Sequence, residues 1–353
     1  MLFGTGRKWY PDELRRGWSR GGSALWSPIV SEFRWGIAAT GGIARSVGNV
    51  IAREPGMSVA AVGSRDLDRA RGLAAELGAP RAYGSYAELA GDPDIDAIYV
   101  TTPQAQHLEV VELAIAAGRA VLCEKPLTAD LAEAERMVRL ARDKGVFLME
   151  AMWMRFNPLI AQIAGLVADG EIGDLRSVNA SFGFALPYDT HHRLWDPALG
   201  GGALLDLGVY PVSFAHLLLG EPAAEDVAVH GRLAESGVDA EAALLLGWPG
   251  GRRALLETSL VSPLPTTASV IGTTGRIDVD ELFFAPTRFV LTVDGAEPRV
   301  HEIPDREVAF AAQAREVRRA VEAGETESPI MPLDDTLAVM RLLDLAIRRL
   351  RQA

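Results

Sequence analysis

Five short apolar runs, separated by helical stretches, constrain the fold of this chain more than any other feature. Trp35-Gly-Ile-Ala-Ala, Val59-Ala-Ala-Val, Ala97-Ile-Tyr-Val-Thr, Ala120-Val-Leu-Cys and Val146-Phe-Leu-Met follow one another after Arg34. A strand with one wet face alternates apolar and polar residues, whereas a strand buried on both faces of a parallel sheet is continuously apolar, as these are. The segments between them read as helices with legible ends. Ser85-Tyr-Ala-Glu88 is a capping box, and Ala129 to Lys144 sets Leu131, Met137, Leu140 and Ala141 at helical spacing before Gly145 stops it. Such alternation predicts an α/β Rossmann fold, a doubly wound parallel sheet.

After Phe156-Asn-Pro158 the period changes to two. Arg176-Ser-Val-Asn-Ala-Ser-Phe-Gly-Phe, Val227-Ala-Val-His-Gly-Arg-Leu and Phe289-Val-Leu-Thr-Val alternate, with turn residues at Pro249-Gly-Gly251 and Thr273-Thr-Gly275. This predicts a C-terminal α+β domain with a mainly antiparallel open sheet, one face covered. The last helix aligns Leu333, Leu337, Met340, Leu343, Ile347 and Leu350 on one stripe. A length of 353 residues suits two domains at roughly 150 residues each. The expected division is a poorly ordered extension at 1–33, a dinucleotide domain at 34–152 and the α+β domain at 153–353.

Composition excludes several classes. With 35 Lys and Arg against 47 Asp and Glu, the net charge of -12 repels a phosphate backbone, so nucleic acid is not an expected partner. A single cysteine, Cys123, forbids an intrachain disulfide and fits a reducing compartment, hence a cytoplasmic location. The pair Arg15-Arg16 is followed by Gly and Ser instead of an apolar region, which argues against export. No apolar run approaches the roughly 18 residues of a membrane span. The six histidines are scattered and His191-His192 has no further ligand at metal spacing, so no metal is expected.

The candidate chemistry sits at strand ends. The first strand runs into Ala39-Thr40-Gly41-Gly42-Ile43-Ala44, the G-x-G-x-x-G/A pattern with Ala39 in the first glycine position. Gly41 would let the backbone approach a pyrophosphate, and small Ala44 would let the helix sit close to the sheet. The second strand ends in Ser64-Arg65, a hydroxyl beside a guanidinium, which suits a 2'-phosphate and favours NADP; Asp66 keeps NAD open. Thr101, Thr102 and Pro103, then Glu124, Lys125 and Pro126, lie where open α/β sheets bind ligands.

Glu124-Lys125-Pro126, with Thr102-Pro103 and His107 before it, Glu150-Ala-Met-Trp-Met-Arg155-Phe-Asn-Pro158 after it and Gly200-Gly-Gly-Ala-Leu-Leu-Asp206-Leu-Gly-Val-Tyr210-Pro further on, resembles the Gfo/Idh/MocA oxidoreductase family. The resemblance covers essentially Arg34 to the C-terminus. It implies a catalytic group of Lys125, Asp206 and Tyr210, a sugar or cyclic vicinal diol as substrate, and a homodimer or homotetramer assembled through the C-terminal sheet. Tyr210 stands where many members carry His, which resembles the dimeric dihydrodiol dehydrogenase and NADP-dependent xylose dehydrogenase-like members. Two other readings remain: a dinucleotide-binding regulator without turnover, and an NAD-dependent glycosidase of the same fold.

The residues also support a physical reading. If Leu204 to Leu219 is helical, Asp206 and Tyr210, four apart, project from one face. A phenol is a poor base at neutral pH, and an ammonium such as that of Lys125 would favour its phenolate. Tyr210 would then take or return the hydroxyl proton as hydride moves. Without the glycine run and the resemblance, the preferred reading makes Asp206 a satisfied polar residue and Tyr210 a core aromatic with its hydroxyl bonded to backbone. Arg155 and Trp153 would border the nicotinamide, Arg193 and Trp195 would offer a sugar a donor and an aromatic wall, and His107 would touch the cofactor region or cap a turn.

Overall fold

The computed structural model describes residues 32–352, so most of the extension expected at 1–33 lies outside the described residues. Two compact units divide the chain: one runs to Met152 and includes Phe310–Leu337, the other comprises Trp153–Ala309 and the residues from Ala338 on.

The first unit holds six strands: β1 (Phe33–Ala38), β2 (Met57–Gly63), β3 (Arg81–Tyr83), β4 (Ala97–Val100), β5 (Ala120–Cys123) and β6 (Leu148–Glu150). They form one sheet in the order β3-β2-β1-β4-β5-β6, parallel throughout. Its helices are α1 (Gly42–Arg53), α2 (Leu67–Leu77), α3 (Tyr86–Ala90), α4 (His107–Ala116) and α5 (Leu131–Lys144). Trp35, Ile37, Tyr99, Val121 and Leu122 are fully buried, the two-sided burial that the continuous apolar runs encode. Strand β3 has no such run, because Arg-Ala-Tyr at the sheet edge is only half-buried. The order reverses between β1 and β4, and that switch point opens the crevice in which doubly wound sheets hold ligands.

Caps fall where side chains supply them. Asp66 caps α2 and Asp130 caps α5 by accepting backbone N–H bonds, and Gly78 and Gly145 close the same helices at φ 70° and 63°. Helix α1 rises close over the sheet at Gly48, where a Cβ would come within 2.7 Å of Leu77 Cδ1 and 2.9 Å of Ile37 Cδ1. Residues 310–337 secure the sheet's far edge: Leu148 N–H donates to Thr326 O at 3.2 Å, and the Thr336 hydroxyl donates to Glu150 Oε2 at 3.0 Å.

The second unit is built on eight strands: β7 (Leu175–Gly183), β8 (Val227–Leu233), β9 (Asp239–Trp248), β10 (Arg252–Ser259), β11 (Ala268–Gly272), β12 (Gly275–Val279), β13 (Arg288–Val293) and β14 (Arg299–Glu302). The order is β14-β13-β12-β11-β7-β10-β9-β8, antiparallel except for the β10–β7 pair. Helix α6 (Pro158–Ala168) belongs to this unit, and α7 (Val209–Leu219) packs on β7 and β10. On strands β9 and β10 exposed and buried residues alternate, leaving Leu245 and Leu255 about half exposed. The chain also forms α8 (Val308–Glu322) and α9 (Leu333–Gln352); on α9 Leu333, Met340, Leu343 and Leu350 are buried, as the stripe predicts.

Pro197–Leu219, which runs through a 3-10 turn, a break at Gly200–Gly202, the turn Leu204–Gly208 and α7, is long and apolar enough to cross a membrane by length and composition alone, with a mean hydropathy of 1.5 over its most apolar window. That window is 94% buried inside the protein, so the segment is interior, and its glycines and Asp206 interrupt any apolar run, in keeping with the sequence reading.

Ala39, in the first glycine position of the loop after β1, has φ 88°. Left-handed backbone at a residue with a Cβ costs on the order of 1–3 kcal/mol, and the added chain entropy of glycine returns roughly 0.4–1 kcal/mol of that. Ala39→Gly is therefore expected to stabilise the protein by about 1 kcal/mol in urea denaturation; a midpoint that stays or falls would show the loop to be unstrained.

Candidate functional site

In the first unit, three strand ends shape the candidate cofactor region. Gly41 is the N-cap of α1 without a side-chain cap, and Cβ atoms built at Gly41 or Gly42 would meet nothing within 4 Å. Thr40 and Ile43 flank them half-buried, and Ala44 is fully buried. An uncapped helix start with open space before it suits an anion. At the end of β2, Arg65 is exposed and hydrogen-bonds with Tyr86. Ser64 Oγ accepts from Asp66 N–H at 3.2 Å, while Asp66 Oδ1 accepts from Asp68 and Arg69 N–H at 3.0 and 3.1 Å. The acid that would read a ribose hydroxyl is thus engaged as a helix cap.

The loops after β4 and β5 are held by interior bonds. Thr101 Oγ1 donates to Ala38 O at 2.7 Å, tying the ends of β4 and β1. His107 is buried, its Nε2 2.8 Å from Thr102 O and its Nδ1 3.0 Å from Leu127 O, so it clamps one loop to the other. Burial lowers its pKa and favours the neutral ring, although the two carbonyls pull the other way. The Tyr99 hydroxyl donates to Glu124 Oε1, and Glu124 Oε2 accepts from Lys125 N–H at 3.2 Å. The Lys125–Pro126 peptide is cis, and buried Glu150 takes Leu127 N–H at 3.1 Å. Lys125 is half-buried, as is Glu124, while Pro126, Leu127 and Thr128 after it are buried.

In the second unit the proposed proton donor sits among rings. Tyr210, 6% exposed in the first turn of α7, stacks on Phe284 with centroids 4.3 Å apart, and its hydroxyl accepts from Trp153 Nε1 at 3.0 Å. Phe182 lies 6.0 Å from Tyr210 and 4.9 Å from Phe284, while Trp153 meets Phe284 edge-on at 5.9 Å. Asp206, mostly buried, pairs with exposed Arg193 at 2.9 Å. Leu204–Gly208, expected as α-helix, is a π-helical turn, and α7 begins only at Val209. The four-residue spacing of Asp206 and Tyr210 therefore spans a junction of two helix types, a wide turn of the kind found at functional sites.

The turn is anchored from below by Asp239, at the start of β9 and 4% exposed. Its Oδ2 accepts Leu204 N–H at 2.6 Å, and the amides of Ala203 and of Asp239 itself lower the carboxyl pKa from nearby. Burial pushes its pKa up to about 6, against those donors and the Arg351 guanidinium. A Cβ at Gly202, whose φ is 123°, would lie 2.3 Å from Asp239 Oδ1, and one at Gly201 would lie 2.6 Å from Leu194 O. The glycine run thus makes its close approaches to the protein itself.

Other expectations resolve into interior roles. Arg155 is fully buried with Nη2 3.4 Å from His216 Nδ1, so it has no accessible surface for a nicotinamide. Trp195, 1% exposed, packs with Leu194, Ala203 and Leu207 and donates its indole N–H to Pro187 O, which makes it core and not a sugar wall. His191 meets Asp189 at 3.2 Å and His192 Nδ1 accepts Leu194 N–H. Sequence reasoning missed Phe182, Phe284 and Asp239. Phe182 was visible only as a strand residue, Phe284 lies in a loop without periodicity, and Asp239 lies far from the glycine run in sequence.

Residues 33–152 match a family profile described as an oxidoreductase family with an NAD-binding Rossmann fold, and residues 160–278 match the GFO/IDH/MocA C-terminal domain. The trans-1,2-dihydrobenzene-1,2-diol dehydrogenase of Mus musculus is 40% identical over 318 residues, 88% of this chain and 95% of the relative. The enzyme of that name from Homo sapiens is 37% identical over 318 residues, with the same coverages. Among solved structures, an aldose-aldose oxidoreductase from Caulobacter crescentus complexed with glycerol has a TM-score of 0.82 at 25% identity, covering 91% of this chain and 98% of its own. A 3-ketoreductase from Actinomadura kijaniata in complex with NADP and TDP-benzene has a TM-score of 0.77 at 31% identity, covering 89% and 96%.

Asp239 predicts a pH signature. Its pKa of about 6 in the fold lies above the ordinary 3.8, so the stability associated with it is fully present below the unfolded value and is lost as pH rises through about 6. The difference corresponds to about 3 kcal/mol. Denaturation of wild type and Asp239→Asn between pH 4 and pH 7.5 is expected to show the variant gaining on wild type as pH rises; parallel curves would mean that Asp239 keeps an ordinary pKa.

Proposed function

The chain belongs to the Gfo/Idh/MocA oxidoreductase family, and on that premise we propose that it transfers a hydride between NADP and a secondary alcohol or carbonyl of a cyclic vicinal diol or sugar. The observation that carries this reading is the Tyr210 hydroxyl, held by the Trp153 N–H and set among Phe182 and Phe284. That arrangement offers a proton-transfer group beside aromatic surface, and a flat, partly apolar ring diol complements such surface better than an open-chain polyol. The diol dehydrogenases among the relatives and the aldose oxidoreductase among the neighbours support the same substrate classes.

The first unit's residues fit a dinucleotide. Gly41 and Gly42 leave room before an uncapped helix, Thr40, Ile43, Thr101, Thr102 and Pro103 border the strand ends, and Ser64 and Arg65 stand at the tip of β2. With Asp66 spent on capping α2, the tip presents a guanidinium, which favours NADP over NAD. The nicotinamide supplies hydride acceptance or donation when bound. Tyr210 Oη takes the substrate hydroxyl proton in oxidation and returns it in reduction, and the Trp153 N–H directs that oxygen. Lys125 and Asp206 complete the catalytic group that family membership implies, with Arg193 orienting the Asp206 carboxylate.

The exposed face of the second sheet, with Leu245 on β9 and Leu255 on β10, is the surface we assign to a homodimer or homotetramer. The lone, buried Cys123 accords with a cytoplasmic location.

Three outcomes are expected. Purified protein given NADP and a panel of dihydrodiols, aldoses and polyols shows substrate-dependent nicotinamide absorbance change, greatest with cyclic diols, and Tyr210→Phe lowers kcat by about 100- to 10,000-fold. A flat trace across the panel overturns the reading, and release of sugar from an aryl glycoside without net reduction would indicate the glycosidase alternative. Arg65→Ala raises the KM for NADP by about tenfold or more with little effect on NAD; equal effects on both would remove Arg65 from cofactor selection. Leu245→Glu combined with Leu255→Glu lowers the mass measured by light scattering, and an unchanged mass sinks the sheet-face assembly.

A further inference from the structure

Asp239 is a charged group in the interior of the second unit, on a strand that carries no other site residue. Its carboxylate takes the backbone N–H of Leu204 at 2.6 Å, at the opening of the π-helical turn Leu204–Gly208. Asp206 lies two residues beyond the anchored amide of Leu204, and Tyr210 six. The surroundings are built around this carboxylate. Gly202 has φ 123° and no room for a Cβ, which would strike Asp239 Oδ1. Gly202 N–H is bonded in turn to Leu194 O at 2.9 Å, one residue after Arg193, the partner of Asp206.

A neutral side chain would satisfy one amide at less desolvation cost, since burial disfavours the ionised form here. An ordinary helix start uses Ser, Thr, Asp or Asn from its own N-cap position; this one begins at Ala203, whose side chain accepts nothing, and its capping oxygen arrives from a strand 35 residues on. A cap delivered from the sheet fixes the turn relative to the sheet, and not merely relative to the preceding loop.

We infer that Asp239 is a positioning residue, which holds Asp206 and Tyr210 in register through the backbone of the turn that carries them. The inference rests on the proposed proton-transfer role of Tyr210. Asp239 touches no substrate; it acts through Leu204. Its retention in a buried place is a stability sacrifice that secures geometry, of the kind found where function demands a fixed arrangement.

The test uses the full-length enzyme and two variants, Asp239→Asn and Asp239→Ser, each assayed with NADP and the best diol or sugar from the panel. The expected result is a kcat lowered by about 10- to 100-fold, the loss that follows a displacement of about an ångström at the reacting groups, while the KM for NADP changes less than about twofold and Asp239→Asn unfolds no more easily than wild type at pH 7.5. A kcat within about threefold of wild type in either folded variant overturns the inference, as does a parallel rise in the KM for NADP, and failure of both variants to fold shows a purely structural residue. If wild type turns over nothing, the proposed function fails separately, and a crystal structure of Asp239→Asn decides: movement of Leu204–Gly208 by more than about 0.5 Å upholds the positioning role, and a smaller movement rejects it.

Discussion

The arrangement of the second unit depends on one buried carboxylate meeting the backbone amide at the start of a helical turn. Where Asp239 takes Leu204 N–H at 2.6 Å, the chain leaves a glycine run and enters a π-helical turn, then an interior α-helix. The donors at a helix start need acceptors, and inside a protein water cannot supply them. Here a strand does, so the helix bearing Tyr210 is registered against the sheet that bears Phe182. The stacking of Tyr210 on Phe284 and the bond from Trp153 follow from that registration.

The first unit reaches its geometry by a different route. Its helices α2 and α5 are capped by their own aspartates, whereas α1 has no side-chain cap and faces open space. The contrast separates structure from function along a single sheet edge. The same economy explains Asp66: placed one residue after Arg65, it serves α2 and leaves the guanidinium to define the strand tip. Below, His107 and Glu150 clamp the loops after β4 and β5 from the protein side.

Much of this was legible in the sequence because the signals are local. Continuous apolar runs mark strands β1, β2, β4 and β5, and Ser85, Gly145 and the Gly41 loop announce helix ends within three or four residues. Strand β3 escaped because three half-buried edge residues carry no pattern, and the π-helical form of Leu204–Gly208, expected as α-helix, escaped because the widening of a turn leaves no mark in residue type. At the candidate site, residue types were readable but exposure was not. Arg155 and Trp195 look like ligand contacts in a string of letters, yet the fold encloses both. Asp239 and Phe284 join the site by long-range pairing, which no window along the chain can reveal.

Residues 310–337 belong to the first unit, although more than 150 residues of the second unit intervene. They supply the carbonyl for Leu148 N–H, the hydroxyl for Glu150 and the guanidinium of Arg315 for Glu54. During synthesis the nucleotide half is therefore unfinished when its last strand leaves the ribosome. Its far edge is completed only after the intervening segment of the second unit has been made, which couples maturation of one half to translation of the other.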